Sequence, residues 1–262
     1  MSQDKDGFTA LDPVNHGGRI RAEFAQRNGM HFVQVKLFVH FIGFPLKQTA
    51  PRHFLAGCDE ISFMTPPKLT PKLLVFAGST RLNSFNRKLA GVAATLARAS
   101  GAEVTHIELV DFDIPMYNAD LEARGTPPDV MKLKEMMHAH PAWIICSPEY
   151  NGSYTALLKN TIDWVSSPVK GDPDWHDGFK SFTGKVVGVL SASPGALGGL
   201  RSQSHLVPLL FNSQCWVAPK TFALGKAGDA FDAHDELVSD SHRKSVQAVI
   251  DQVLFAAQRL AA

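Results

Sequence analysis

The sequence predicts an α/β protein whose parallel sheet is covered by helices on both faces. Short apolar runs without polar alternation recur along residues 72–262, as is typical of strands buried on both faces. Segments with apolar residues at helical spacing separate these runs one by one. Strict alternation of the two kinds of element implies parallel strands joined by right-handed crossovers. A hydrophobic content of 45% in 262 residues is enough for the core that such a fold buries.

The first strand is predicted at 73–77, between Pro71 and Gly78. A helix follows, in which apolar residues recur every three or four positions before Gly101 ends it. These apolar residues are Phe85, Leu89, Val92, Ala93, Leu96 and Ala97. Further strands are predicted at 103–109, 142–147, 185–191 and 216–224, and further helices at 129–139, 155–166, 201–211 and 233–261.

Five strands in this succession favour the flavodoxin-like doubly wound arrangement, an α/β fold with strand order 2-1-3-4-5. Ligands of such sheets bind outside the carboxyl ends of the strands, where the strand order reverses. We therefore expect the chemistry in the loops after the first, third and fourth strands.

The loop after the first strand has the composition of an anion site. It reads Gly78-Ser79-Thr80-Arg81-Leu82-Asn83-Ser84-Phe85-Asn86, and Ser84 is placed to cap the following helix. A helix N-terminus with the hydroxyls of Ser79 and Ser84, the Asn86 amide and the Arg81 guanidinium suits a phosphate monoester. The alternative is an ordinary strand-to-helix turn with a serine cap. The loop lacks the Gly-Lys-Ser/Thr ending of a Walker loop and the GxGxxG spacing, which disfavours ATP and Rossmann-type nucleotides.

The loop after the third strand suits the edge of a flat ring. It reads Ser147-Pro148-Glu149-Tyr150-Asn151-Gly152-Ser153, in which Pro148 stiffens the strand exit and Gly152 allows a positive φ. We expect the backbone N–H groups of Tyr150, Asn151 and Gly152 to face the electron-rich edge of an isoalloxazine, with Tyr150 packed against it. The alternative is a simple turn. For the Glu149 side chain, a solvated carboxylate at a helix entry is the favoured interpretation.

The loop after the fourth strand is made of small residues and is interpreted as a wall of the same site. It spans 191–201 and contains Ser193 and three glycines. A flexible hinge without ligand contact is the alternative. Trp164, on the helix that follows the third strand, is expected in the core or at a subunit contact.

Charge and cysteine content exclude several other classes. The net charge of +1 shows no broad footprint for nucleic acid or an anionic membrane. The cysteines Cys58, Cys146 and Cys215 lack any CxxC spacing, which disfavours a zinc site and a redox dithiol. We expect Cys146 and Cys215 to be small buried core residues, and the protein to lie in a reducing, cytoplasmic compartment. The polar start 1–10 is unlike a secretory signal, and the apolar stretch 32–44 is short of the ~20 residues that span a bilayer.

The two polar loops, together with Leu158-Lys159-Asn160-Thr161-Ile162-Asp163-Trp164, resemble the NADPH-dependent FMN reductase family. This family includes reductases of quinones, chromate and azo compounds, and the resemblance covers about 72–262. It implies that Ser79, Arg81, Ser84 and Asn86 hold the FMN phosphate. It also implies that Pro148, Glu149, Tyr150, Asn151 and Gly152 line the isoalloxazine and that Ser193 lies on its far side. Tyr154-Thr155 is a departure, since many relatives have proline and glycine there.

The resemblance further implies hydride transfer from NADPH or NADH through FMN N5 to a small acceptor, by a ping-pong scheme without a catalytic side chain or a metal. A homodimer or homotetramer is expected, with no nucleic acid or membrane partner. The alternative functions are a flavodoxin-like electron carrier and a flavin-binding regulatory protein without turnover. The nearly neutral chain and Arg81 in the phosphate loop disfavour the carrier, which benefits from an acidic docking face.

Residues 1–71 show no steady helical or strand period and end in the Pro-rich stretch 65–71. We expect them to form a poorly ordered N-terminal extension and linker, and 72–262 to form the flavodoxin-like FMN-binding reductase domain. Because Met64 stands directly before the α/β pattern, one hypothesis is that the natural product begins there. N-terminal sequencing of the native protein that found Met1 would reject it.

Overall fold

A computed structural model describes residues 70–260, so the predicted extension, Cys58 and the Met64 hypothesis lie outside the described residues. Within this range six strands form one parallel sheet. They are β1 (Lys72–Ala77), β2 (Glu103–Glu108), β3 (Ala142–Cys146), β4 (Val186–Ala192), β5 (Trp216–Val217) and β6 (Phe222–Leu224). The order is β2-β1-β3-β4-β5, with β6 also paired to β4, which confirms the predicted 2-1-3-4-5 topology.

Helices cover both faces of the sheet. They are α1 (Phe85–Ala99), α2 (Ala119–Glu122), α3 (Pro128–Ala139), α4 (Ala156–Val165), α5 (Leu200–Asn212) and α6 (Asp240–Leu260). Side chains alternate along β3: Ala142, Ile144 and Cys146 join the core cluster under α1 and α6, whereas Trp143 and Ile145 join the cluster under α3, α4 and α5. Within residues 70–260, none of the helices is both long and apolar enough to cross a bilayer.

The fifth strand differs from the prediction, because the single strand expected at 216–224 is two short ones. Val217 pairs with Val187 and Phe222 with Leu190, so the chain advances five residues while β4 advances three. The connecting stretch contains Pro219, which has no N–H to donate to a ladder.

The last helix also begins later than predicted, at Asp240 rather than near Ala233. The Asp232 carboxylate accepts hydrogen bonds from the backbone N–H of His234 (2.8 Å) and of Glu236 (3.0 Å). Backbone hydrogen bonds from Glu236 and His234 lower the pKa of Asp232 from its ordinary value. Such side-chain to backbone bonds favour a turn over a helix, which is why the apolar spacing alone placed the helix start too early.

The close fit of α6 to the sheet gives a test of the core. Gly188 lies in β4, where a Cβ would be 2.7 Å from Ile144 Cδ1, 2.8 Å from Val253 Cγ2 and 2.9 Å from Val249 Cγ1. We expect Gly188→Ala to lower the free energy of unfolding in urea by about 1–3 kcal/mol, because it overpacks the core. Gly91→Ala in α1 is the matched control: its Cβ would meet nothing within 4 Å, so it should be neutral or stabilise by about 0.5–1 kcal/mol. Equal unfolding midpoints for the two variants would contradict this packing.

Candidate functional site

A cleft of about 250 Å³ lies at the carboxyl ends of β1, β3 and β4. It brings together eight of the ten site residues that the sequence predicts. These eight are Ser79, Arg81, Ser84, Asn86, Pro148, Glu149, Tyr150 and Ser193, and the lining also includes Phe85, Ala192 and Pro194. The remaining two, Asn151 and Gly152, follow Tyr150 directly in the chain but do not line the cleft.

A larger groove of about 380 Å³ lies elsewhere, between α1, β2 and residues 234–236. It contains none of the ten predicted residues. Two ion pairs lie in this groove: Lys88 Nζ is 2.6 Å from Asp235 Oδ1, and Arg87 Nε is 2.8 Å from Glu108 Oε2. Because the predicted residues gather in the smaller cleft and not in this groove, the smaller cleft is the candidate site.

The loop after β1 has the geometry of an anion site. Ser84 caps α1 as predicted, since its Oγ accepts a hydrogen bond from the Asn86 N–H at 3.2 Å. Ser79 Oγ accepts from the Arg81 N–H at 3.4 Å. Both hydroxyls are buried at the cleft, and each keeps its own hydrogen for a ligand oxygen. Arg81 is exposed, and its guanidinium makes no ion pair with any residue of the described part of the chain.

Asn86 ties α1 to the end of β4. Its Nδ2 donates to the Ala192 carbonyl at 2.8 Å, and its Oδ1 accepts from the Ala192 N–H at 2.9 Å. The side chain is buried, so these two bonds fix the wall that continues into Ser193. Only the second amide hydrogen of Asn86 is left for the predicted phosphate contact.

Thr155 is a contributor that the sequence analysis noted only as a departure. Its Oγ1 donates to the Gly78 carbonyl at 2.6 Å and accepts from the Leu158 N–H at 3.2 Å, so one hydroxyl caps α4 and holds the loop after β1. A Cβ on Gly78 would lie 2.9 Å from Leu158 Cβ, which explains the glycine at this close approach. A threonine directly before a helical run was the available signal for the cap, but its partner Gly78 is 77 residues away in the chain.

The loop after β3 ends in a tight two-residue turn, which corrects one expectation. The Tyr150 N–H donates to the Ser153 carbonyl at 2.9 Å and the Ser153 N–H donates back at 3.0 Å. Asn151 and Gly152 between them have φ of 51° and 81°, as a type I′ turn requires. The prediction that the Tyr150 N–H faces a ligand is therefore wrong. The N–H groups of Asn151 and Gly152 donate to no protein group within residues 70–260 and remain available.

The Glu149 side chain also differs from its expected role as a solvated carboxylate, because only 10% of it is exposed. Its Oε1 accepts from Arg201 Nε at 2.7 Å, and its Oε2 accepts from the Arg201 backbone N–H at 3.2 Å. Helix α5 starts after Gly199, which offers no side-chain cap. Glu149 thus supplies from another loop the anion that the N-terminus of α5 favours.

The glycines after β4 form a packed turn, which does not fit the hinge alternative. Gly198 and Gly199 have φ of 63° and 89°. A Cβ on Gly198 would lie 2.6 Å from the backbone at Ala223, and the Gly198 carbonyl accepts from Ser191 Oγ at 2.7 Å. This turn holds the wall of the cleft at a fixed distance from β6.

The motif on α4 anchors a neighbouring loop. Trp164 is fully buried, which confirms a core position, and its Nε1 donates to the Pro115 carbonyl at 2.8 Å. Asn160 Nδ2 donates to the same carbonyl at 2.9 Å, and Asn160 Oδ1 accepts from the Tyr117 N–H at 2.7 Å. These contacts hold the stretch 115–117 against α4, and neither Trp164 nor Asn160 lines the cleft.

Thiol and metal chemistry find no support among the described residues. Cys146 and Cys215 are buried, and burial raises the pKa of Cys215 to about 12 and that of Cys146 further above its ordinary value. Both are therefore thiols at neutral pH and not nucleophiles. Over residues 70–260 no group of three or more His, Cys, Asp or Glu side chains could hold a metal ion.

Known proteins resemble this chain in sequence and in fold. The sequence profile of the family described as NADPH-dependent FMN reductase matches residues 71–229. An NAD(P)H-dependent FMN reductase of Pseudomonas aeruginosa is 34% identical over 193 residues, covering 72% of this chain and 96% of that protein. A quinone reductase of Pseudomonas putida is 34% identical over 182 residues, covering 68% and 90%.

Among solved structures, the flavoenzyme FerB, an NAD(P)H:(acceptor) oxidoreductase from Paracoccus denitrificans, superimposes with a TM-score of 0.61 at 28% identity. The superposition covers 72% of this chain and 98% of the FerB chain. The family profile spans more than half of the chain, and the matched range includes the loops that build the cleft. The chain belongs to the NADPH-dependent FMN reductase family.

Proposed function

We propose that this chain reduces small electrophilic acceptors, such as quinones, chromate or azo compounds, with NADPH as hydride donor. As a member of its family the chain is an oxidoreductase that uses FMN and NAD(P)H. Bound FMN supplies the hydride chemistry, because its ring accepts a hydride from a nicotinamide and passes it on to an acceptor. The single observation that carries the proposal is the cleft itself, in which the anion loop and the loop of Tyr150 meet.

The phosphate end of the cleft fits a dianionic monoester. The hydroxyls of Ser79 and Ser84 have free hydrogens, the first N–H groups of α1 are near, and Arg81 can close over the site from the solvent side. The bonds that Asn86 and Thr155 make to Ala192 and Gly78 keep this arrangement in place before any ligand arrives. A preformed loop loses little conformational entropy on binding.

The ring end of the cleft fits a flat ligand that gains negative charge. Asn151 and Gly152 do not line the cleft in this structure, but they directly follow Tyr150, which does, and the free N–H groups of their type I′ turn are backbone donors that could stabilise an anion. Ser193 and Pro194 also line the cleft. The Tyr150 side chain is 46% exposed at the mouth, where a planar acceptor can stack on it.

The acceptor class is inferred from this open mouth and from the relatives. Proteins named quinone reductase and 2-hydroxy-1,4-benzoquinone reductase are 34% and 30% identical to the chain. Assembly as a homodimer or homotetramer is also proposed, because α5 and the stretch after it expose Phe211 (57%) and Trp216 (60%). Light scattering that gave the mass of one chain would reject the assembly.

Rapid mixing with NADPH separates the reductase from an electron carrier. We expect the yellow absorbance of the FMN-loaded protein to bleach by two electrons in one fast phase, and added quinone to restore it. Stopped-flow absorbance measures both steps. Slow bleaching with NADPH, or a persistent radical spectrum, would favour the carrier and contradict the reductase.

Removal of the free guanidinium tests the phosphate end. Arg81→Ala should weaken FMN binding by about 1–3 kcal/mol, because it deletes one charged hydrogen-bond partner. Fluorescence titration of the apoprotein with FMN measures the change. Arg124→Ala, at an exposed arginine outside the cleft, is the control and should leave the affinity unchanged. Equal affinities for both variants would remove Arg81 from the site.

A further inference from the structure

Helix α5 holds the loop after β3 from outside at three successive points. Ser202 Oγ lies 3.2 Å from the Ser147 carbonyl oxygen and 2.9 Å from that of Gly199, and His205 Nδ1 lies 3.0 Å from Ser153 Oγ. Between these two, Arg201 binds Glu149 through both its backbone and its side chain. The position of the type I′ turn therefore depends on α5 as well as on its own strand.

The central contact is an ion pair in which the two partners differ sharply in exposure. The Glu149 side chain is 10% exposed and lines the cleft, whereas the Arg201 side chain is 63% exposed. Arg201 Nε and Nη2 both contact Glu149 Oε1, and the Arg201 N–H holds Oε2. A mostly buried carboxylate that lost this partner would keep its charge at the edge of the site without a counter-charge.

The guanidinium also lies against the turn. A Cβ built on Gly152 would be 3.9 Å from Arg201 Nε and 4.0 Å from Arg201 Cζ. The positive charge is thus placed close to Gly152 in the turn. Solvent screens the exposed side of the guanidinium, whereas the mostly buried Glu149 carboxylate is screened less.

We propose that Arg201 is a positioning and charge-balancing residue for the ring end of the cleft. It holds Glu149 so that the turn keeps its place, and it neutralises a carboxylate that would oppose a ligand gaining negative charge. This inference rests on the proposed function, because that ligand is the FMN ring when it is reduced. It predicts that the two partners shift the reduction potential of bound FMN in opposite directions.

The experiment measures the midpoint potential of bound FMN in the full chain by dye equilibration, together with FMN affinity. Arg201→Met should weaken the binding of reduced FMN at least about tenfold more than the binding of oxidised FMN. For a two-electron couple this corresponds to a shift of about 30 mV to more negative potential. Glu149→Gln should shift the potential to the positive side, because it leaves the guanidinium unbalanced. The variant that carries both substitutions should have a ratio of reduced-FMN to oxidised-FMN affinity within about threefold of the wild-type ratio.

Other outcomes overturn the inference. If the Glu149–Arg201 pair has only a structural role, each single variant should weaken the binding of oxidised and reduced FMN equally. The single variants would then keep the wild-type potential. A double variant as shifted as Arg201→Met would also reject charge balancing. If Arg201→Met fails to fold, Glu149→Gln alone decides, and a potential that does not rise contradicts the proposal. Failure of the wild-type protein to bind FMN at all would instead refute the proposed function, and this inference with it.

Discussion

The site depends on the parallel pairing of β3 between β1 and β4. Ala77 is level with Cys146, and Cys146 is level with Leu190, so the three strands end near the same edge of the sheet. Parallel strands send all their following loops to that edge, which makes it the place where distant polar segments can meet. A shift of register by one residue would turn every side chain of β3 to the opposite core cluster. The register of the core thus also sets the geometry of the cleft.

Hydrogen bonds between loops then set the finer geometry. Asn86 joins the first loop to the end of β4, Thr155 joins it to the start of α4, and Glu149 joins the second loop to α5. Most of these polar side chains are buried, so each bond that is lost would leave a partner unsatisfied. Glu149 thus helps to hold the loop that carries the backbone donors of the Asn151–Gly152 turn, while Asn86 and Thr155 hold the loop after β1.

Features set by neighbouring residues were predictable from the sequence, and features set by distant ones were not. The cap of α1 by Ser84 and the strand order follow from local spacing and alternation. The Tyr150 N–H donates to the Ser153 carbonyl across its own turn. The Asn151-Gly152 pair is typical of such a turn and was a local signal for this hydrogen bond. The ion pair between Glu149 and Arg201 joins residues 52 positions apart, and nothing in the local pattern of either reveals it. The break before β6 and the late start of α6 likewise depend on particular turn contacts.

A comparison of FMN with riboflavin isolates the role of the loop after β1, because the two ligands differ only in the phosphate. If the loop after β1 binds that phosphate, titration of the apoprotein should show FMN bound at least about a hundredfold more tightly than riboflavin, or about 2.7 kcal/mol, as two charged hydrogen bonds would supply. Equal affinity for the two ligands, or a protein that takes up neither, would contradict the account.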